Sequence, residues 1–456
     1  VARVIQLRFL RESPHTALAT EVWRLAWPAI SHMVLVTLVF LVDRAMIGRS
    51  SSEALASMQI SGTVVWTVYS VFTAFSAGTL AVVARASGSG DRQQAADAAR
   101  VSLALALAIG CVVTLPLWLG RGVLLRAIFP ATEPEVMADA LVYLRIVLPV
   151  MPLAFLEAIA AASLQAVGDT RTPLKVAAVG GVVKLGVSTP LIFGLLGAPQ
   201  LGIVGAAIGT AIAIGLEAVL LVAWLFSRFS PLPLSGIERV TLTPLRRVLR
   251  ISAPAFAERF VYHVGYLGFT VIIGLLGAVA MAANQALVSV ESICFLSADG
   301  FGIAAGALVA QKLGQGRADE AERSGLIAMA MAILLLTSFG VIFALFPRFL
   351  MEAFSPDPAI VAMGSRALYV TAIAQPFMAT AVVLAMSLRA AGDTRAVLVV
   401  MIASALLVRV AGTYLFAITL DLGLVGVWLG STLDWMVRAA LLGWLFVRGR
   451  WRHIVV

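Results

Sequence analysis

The residues able to do chemistry in this chain are ionisable groups set inside long apolar runs. Asp43 ends the run VLVTLVFLVD. Glu157, Lys184, Glu217, Glu258, Glu291, Asp299, Arg409, Asp434 and Arg438 occupy comparable surroundings. A charge at the centre of a bilayer costs at least about 2.5–3.5 kcal/mol, so each is a functional candidate by default. Low dielectric penalises the charged form of a carboxyl, which suits it to loading and releasing a proton near neutral pH. Asp43 is the leading candidate for that chemistry. Its bland alternatives are a local pair with Arg44 or a hydrogen bond to Gln59. Asp434 and Arg438, four apart on a helix face, can neutralise each other, and Glu217 can find a helix partner. Glu258 and Arg259, at the start of a helix, read as solvated or paired near the interface.

These groups matter only if lipid surrounds them, and composition says that it does. The chain is 61% hydrophobic and 12% charged over 456 residues, whereas soluble domains average about 45–50% and 25%. The net charge of +9 then reads as a topology signal and a contact for anionic lipid, without a nucleic-acid partner. Cys111 and Cys294 lie in apolar runs as small core residues, and neither a metal site nor an organic cofactor is expected.

Twelve runs are long enough to span a bilayer: 22–48, 55–85, 97–119, 138–166, 174–197, 202–227, 248–276, 280–310, 323–346, 360–388, 397–418 and 424–447. They fall into two copies. SLQAVGDTRTPL at 163–174 returns as SLRAAGDTRAVL at 387–398, a shift of 224. Pro28 matches Pro254 and Gln59 matches Gln285 at a shift of 226, while LGIVGAAIGT (201–210) matches LGLVGVWLGS (422–431) at 221. The expected fold is therefore all-α and integral to the membrane: twelve transmembrane helices in two pseudo-symmetric six-helix bundles. The lobes are 1–227 and 248–456, joined by a cytoplasmic linker at 228–247. An even helix count gives both lobes the same orientation about an axis along the membrane normal. Arg85, Arg92, Arg171, Lys175, Lys312, Arg317, Arg395 and Arg448 fall on one side, which places both termini in the cytoplasm by the positive-inside rule.

Pro28 and Pro254 each remove a backbone hydrogen bond from the first helix of a half, making a bend available as a conformational hinge. In the repeated turns, Gly168, Asp169 and Arg171, with Gly392, Asp393 and Arg395, read as structural or gating elements on the cytoplasmic side. Register also exposes asymmetry. Asp43 corresponds to Phe269, and Lys184 to Arg409.

The doubled GDTR turns, the WPAI and LVDRAMIG segments of the first helix and the twelve spans resemble the multidrug and toxic compound extrusion (MATE) family over essentially the whole chain, and its DinF-like branch in particular. The resemblance implies a secondary transporter of the bacterial or archaeal cytoplasmic (inner) membrane. Such a protein exports small amphipathic, often cationic organic compounds by alternating access, as a monomer, driven by protons or sodium. It also implies that Gln59, Tyr143, Thr189 and Thr210 are polar neighbours of the coupling or substrate site, together with Lys184.

Two departures matter. The fifth helix reads VSTPLIFG, with Thr189 where many members carry aspartate, and the acidic pair linked to sodium coupling is not cleanly present. Proton coupling through Asp43 is favoured, with Lys184 as a possible ion-pair partner that the proton displaces. A proton moving through about 150 mV delivers roughly 3.5 kcal/mol, enough for a few-hundred-fold gradient. The rival is a flippase for a lipid-linked oligosaccharide or cell-wall precursor, for which Lys184, Arg409 and Arg145 supply basic groups. An enzyme is disfavoured by short loops and the scattered His15, His32, His263 and His453. A passive channel lacks any filter-like segment.

Overall fold

The computed structural model describes residues 14–130, 132–235 and 243–454. Twelve long helices run through them, and no strand occurs among the described residues. In chain order they are α1 (Pro14–Ser50); α2 (Ser52–Phe72, then Ser76–Gly88 after a 3-10 turn); α3 (Arg92–Ile128); α4 (Pro134–Val147, then Met151–Ala166 after a second 3-10 turn); α5 (Arg171–Phe193) and α6 (Ile203–Phe226). The second series is α7 (Thr243–Leu275), α8 (Ala278–Gly314), α9 (Ala318–Leu345), α10 (Pro358–Ala391), α11 (Thr394–Met401, continued to Thr419 with π-helical turns) and α12 (Gly423–Arg448). Ten carry an apolar window suited to crossing a membrane; α7 and α12, which bear Glu258 with Arg259 and Asp434 with Arg438, do not reach that threshold. The twelve helices match the twelve spans read from hydropathy. The linker span 228–247 is described except at 236–242.

The described chain divides into two compact units. One holds residues 31–87 and 91–249. The other holds 14–30, Gly88–Gly90 and 250–454. α1 therefore contributes to both, passing from one unit to the other between Ile30 and Ser31, two residues after Pro28. In the unit containing residues 250–454, Val22, Leu25 and Ala26 of α1 join a core with Phe301, Leu308 and Leu388. Lys312 of α8 ties that end of α1 in place, 3.5 Å from Glu21 and 3.2 Å from Glu320. Both α1 and α7 run through their prolines without interruption.

The repeated turns are built alike. Gly168 and Gly392 adopt φ of 87° and 99°, a left-handed conformation that favours glycine because it has no Cβ to clash. Each then closes its helix the same way: Asp169 N–H donates to Leu164 O (2.9 Å), and Asp393 N–H to Leu388 O (2.8 Å), the 6→1 bond of a Schellman cap. Asp169 also accepts from the Thr172 amide and hydroxyl, starting α5. Position 396 is alanine, so the second copy lacks that hydroxyl bond. Arg171 and Arg395 are exposed beside these turns.

Cys294 is a buried core residue, but Cys111 is not: it is exposed on α3, because an apolar lipid-facing surface and an apolar interior look alike in sequence. Helix contact instead tracks residue size. A Cβ added at Gly430 of α12 would overlap the Thr413 backbone of α11, the close approach that small residues permit in lipid. Gly430→Val is expected to force these helices apart and cost about 1–3 kcal/mol. A thermal melt of the purified protein in detergent checks this, and an unchanged midpoint would show that the contact is not tight.

Candidate functional site

Within the unit formed by residues 31–87 and 91–249, α1 and α5 bring together two residues 141 positions apart. Asp43 is fully buried, and the Lys184 ammonium lies 3.0 Å from its Oδ2. Neither carboxylate oxygen accepts an aligned hydrogen bond, so the contact is an ion pair held by charge more than by directed bonding. Tyr143 of α4 is 5% exposed, within the electrostatic reach of Asp43 and beside Thr210 of α6. Thr189, one turn beyond Lys184, donates its hydroxyl to Leu185 O of its own helix (2.7 Å), and the same oxygen lies 3.7 Å from Met46 Sδ. It therefore touches α1 one turn from Asp43 without touching the carboxylate.

Two sequence readings are corrected. Gln59, on α2, is exposed and gives Asp43 no hydrogen bond. Arg44 does not pair with Asp43 either. Neighbouring side chains on a helix diverge by about 100°, and the guanidinium rests 4.5 Å from the centre of the Phe40 ring instead.

The same unit extends this cluster with groups whose meeting the sequence did not specify. Glu217 of α6 lies against Gly180 of α5, one turn before Lys184, so closely that a Cβ at Gly180 would overlap its carboxyl. Glu217 feels both Lys184 and Glu157 of α4, and Tyr69 of α2 faces both glutamates. Tyr69 carries no sequence signal that would have marked it, since its role depends on which helices adjoin α2.

The unit holding 250–454 presents the register-matched positions with different chemistry. Phe269, equivalent to Asp43, lies 5.8 Å beneath Arg409, equivalent to Lys184. The contact between the two positions is kept, but an aromatic face replaces a carboxylate. Asp434 supplies the missing anion: its Oδ2 accepts from Arg409 Nε (2.8 Å) and from Arg438 Nη2 (2.7 Å), and its Oδ1 from Arg438 Nε (2.9 Å). The expected Asp434–Arg438 pair is present, and Arg409 joins it. Arg409 sits on a π-helical turn, Ile402–Val410, a wider coil that recurs at functional places in helices. Glu258, expected to be solvated or paired, is paired: Arg389 grips it through Nε (2.9 Å) and Nη2 (2.7 Å).

The MatE family model matches residues 28–189 and again 254–415, one match in each half. A probable multidrug resistance protein NorM of Thermotoga maritima is 30% identical over 96% of this chain and 94% of its own. The uncharacterized transporter YisQ of Bacillus subtilis is 24% identical, covering 92% of each. Among solved structures, an outward-facing multidrug resistance MATE family transporter of the MOP superfamily superposes with a TM-score of 0.87 at 20% identity, covering 97% of this chain and 96% of that one. A MOP superfamily transporter from Pyrococcus furiosus, described as having a binding pocket of reverse polarity, gives 0.86 at 20% identity over 95% of each.

The fold and its doubled halves define a polytopic membrane transporter, not an enzyme. The chain belongs to the MatE family of multidrug and toxic compound extrusion transporters.

Asp434 balances two buried cations, so removing it strands both. Asp434→Ala is expected to destabilise the protein by about 3–5 kcal/mol, whereas replacing Arg409, Asp434 and Arg438 together with Met, Leu and Met recovers most of that loss. Thermal melts of the two variants in detergent decide it: a triple variant as unstable as the single one would mean that the charges themselves hold these helices.

Proposed function

We propose that this protein is a secondary active multidrug efflux transporter of the DinF-like branch, antiporting protons for small amphipathic, often cationic compounds. It works as a monomer in the cytoplasmic (inner) membrane, with both termini in the cytoplasm and membrane lipid around it. Relatives whose names describe multidrug resistance support the substrate class, and the bias of Arg and Lys supports the orientation. Transport proceeds by alternating access of the two lobes, with Pro28 and Pro254 absorbing the bending of α1 and α7.

The observation that carries the coupling assignment is the buried Asp43–Lys184 pair. An ammonium already occupies the position a metal cation would take beside Asp43, so a metal ion would have to shed its hydration and displace Lys184 as well. A proton avoids that conflict, because it neutralises the carboxylate by bonding to it. Proton coupling is therefore favoured over sodium. Protonation of Asp43 then frees Lys184 and changes how α1 is held against α5, while Tyr143, Thr189 and Thr210 supply the polar rim. The repeated turns Gly168–Asp169–Arg171 and Gly392–Asp393–Arg395 serve as rigid joints between α4 and α5 and between α10 and α11.

A second reading, flipping of a lipid-linked oligosaccharide or cell-wall precursor, draws on Arg409. It engages Asp434 through Nε, and its terminal nitrogens donate to no described residue. That fork suits a phosphate.

In proteoliposomes bearing an imposed pH gradient, Asp43→Asn is expected to reduce proton-driven export of a cationic dye at least about tenfold, with insertion into the membrane unchanged. Full export by that variant would remove Asp43 from the coupling mechanism. Flipping of a labelled pyrophosphate lipid without any dye export would favour the second reading.

A further inference from the structure

Lys184 pairs with one carboxylate and is electrostatically coupled to a second, and the two lie on different helices. Asp43 approaches from α1 at 3.0 Å. Glu217 approaches from α6, its carboxyl seated against the bare backbone of Gly180, one turn from Lys184 on the same helix. Any side chain at position 180 would evict that carboxyl, so the glycine opens the niche that Glu217 occupies. The Asp43 oxygens accept no aligned hydrogen bond, which leaves the ammonium comparatively weakly oriented at its first partner. The other ionisable groups facing this cluster are Tyr143 of α4 beside Asp43, Arg44 near Tyr143, Glu157 of α4 beside Glu217 and Tyr69 of α2 beside both glutamates.

We infer that Lys184 is a tethered competitor for the transported cation: it neutralises Asp43 when the site is empty and moves to Glu217 when a proton or an organic monocation takes Asp43. Charge balance requires such a second partner. An ammonium released from Asp43 in a low-dielectric interior is costly unless another carboxylate receives it, and Glu217, seated against Gly180, is the second carboxylate coupled to Lys184. The repeat supports the specificity of the arrangement. At the corresponding places the other lobe has Phe269, Arg409 and Arg438, so Arg409 there has no carboxylate at the position of Asp43 and none at that of Glu217. The exchange therefore belongs to one lobe. Glu217 acts through Lys184 and is a positioning residue.

The inference rests on the assignment of Asp43 as the coupling carboxylate, and one set of measurements separates the two. Ethidium, a permanent monocation, is titrated against the purified full-length protein in detergent at pH 6 and pH 8, with fluorescence anisotropy as the readout. Wild-type affinity is expected to be lower at pH 6 than at pH 8, the direction that competition between proton and ethidium for one site requires. Lys184→Gln removes the competitor and is expected to tighten binding at pH 8 about tenfold. Glu217→Gln leaves Lys184 on Asp43 and weakens binding about tenfold. Combined with Lys184→Gln, the Glu217 substitution is expected to have no further effect. Gly180→Ala displaces the Glu217 carboxyl with every charge retained, and is expected to reproduce Glu217→Gln; it also carries the test should that variant misfold. A Glu217→Gln effect of equal size with and without Lys184→Gln overturns the exchange, as does wild-type affinity in Gly180→Ala. Asp43→Asn that binds ethidium with the wild-type pH dependence overturns the coupling assignment itself.

Discussion

A charged side chain buried among apolar helices has to be matched by an opposite charge, and the polar geometry of this transporter follows from how each lobe meets that requirement. Lipid offers no water to solvate an orphan ion. Lys184 is met by Asp43 at 3.0 Å. Arg409 and Arg438 share Asp434, and Arg389 holds Glu258 through two bonds. Each partner comes from a different helix, except in the Arg438–Asp434 contact within α12. The ions therefore select which helices lie side by side as well as being stabilised by them.

The duplicated architecture makes the two solutions comparable. Backbone features are repeated almost unchanged: the left-handed glycines 168 and 392, the 6→1 bonds that follow them, and the prolines within α1 and α7. The contact between the positions of Asp43 and Lys184 is also repeated, as Phe269 beneath Arg409. The chemistry of that contact is what changed. An ion pair can be broken by one proton. An aspartate shared by two arginines resists that trigger, because protonating it would leave two buried cations without an anion. One lobe thus carries a single ion pair, and the other carries a cluster of three charges on the same scaffold.

Small residues serve the same end. Gly180 makes room for a carboxylate beside a lysine, and Gly430 lets α12 reach the backbone of α11. In lipid, where apolar burial does not drive helices together, such close approaches supply the packing energy. They also decide which polar groups lie within reach of one another. A glycine can therefore define a charge network without carrying any charge.

The sequence alone determined the membrane environment, the twelve spans and the duplication, and singled out Asp43 as a charge within an apolar run, because these depend on composition, run length and internal register. All are properties of the chain taken one segment at a time. It also held the Asp434–Arg438 pair, which lies within one helix turn. Which residues from separate helices meet was decided by the tertiary structure. Gln59 had the right residue type and repeat position but gives Asp43 no hydrogen bond, and Arg44 rests on the Phe40 ring of its own helix. Arg409 reaches Asp434 across two helices, Glu217 is electrostatically coupled to Lys184, and Tyr69 joins the cluster unannounced. Such meetings depend on helix rotation and neighbour choice, which apolar periodicity leaves undetermined when lipid and protein interior are equally apolar.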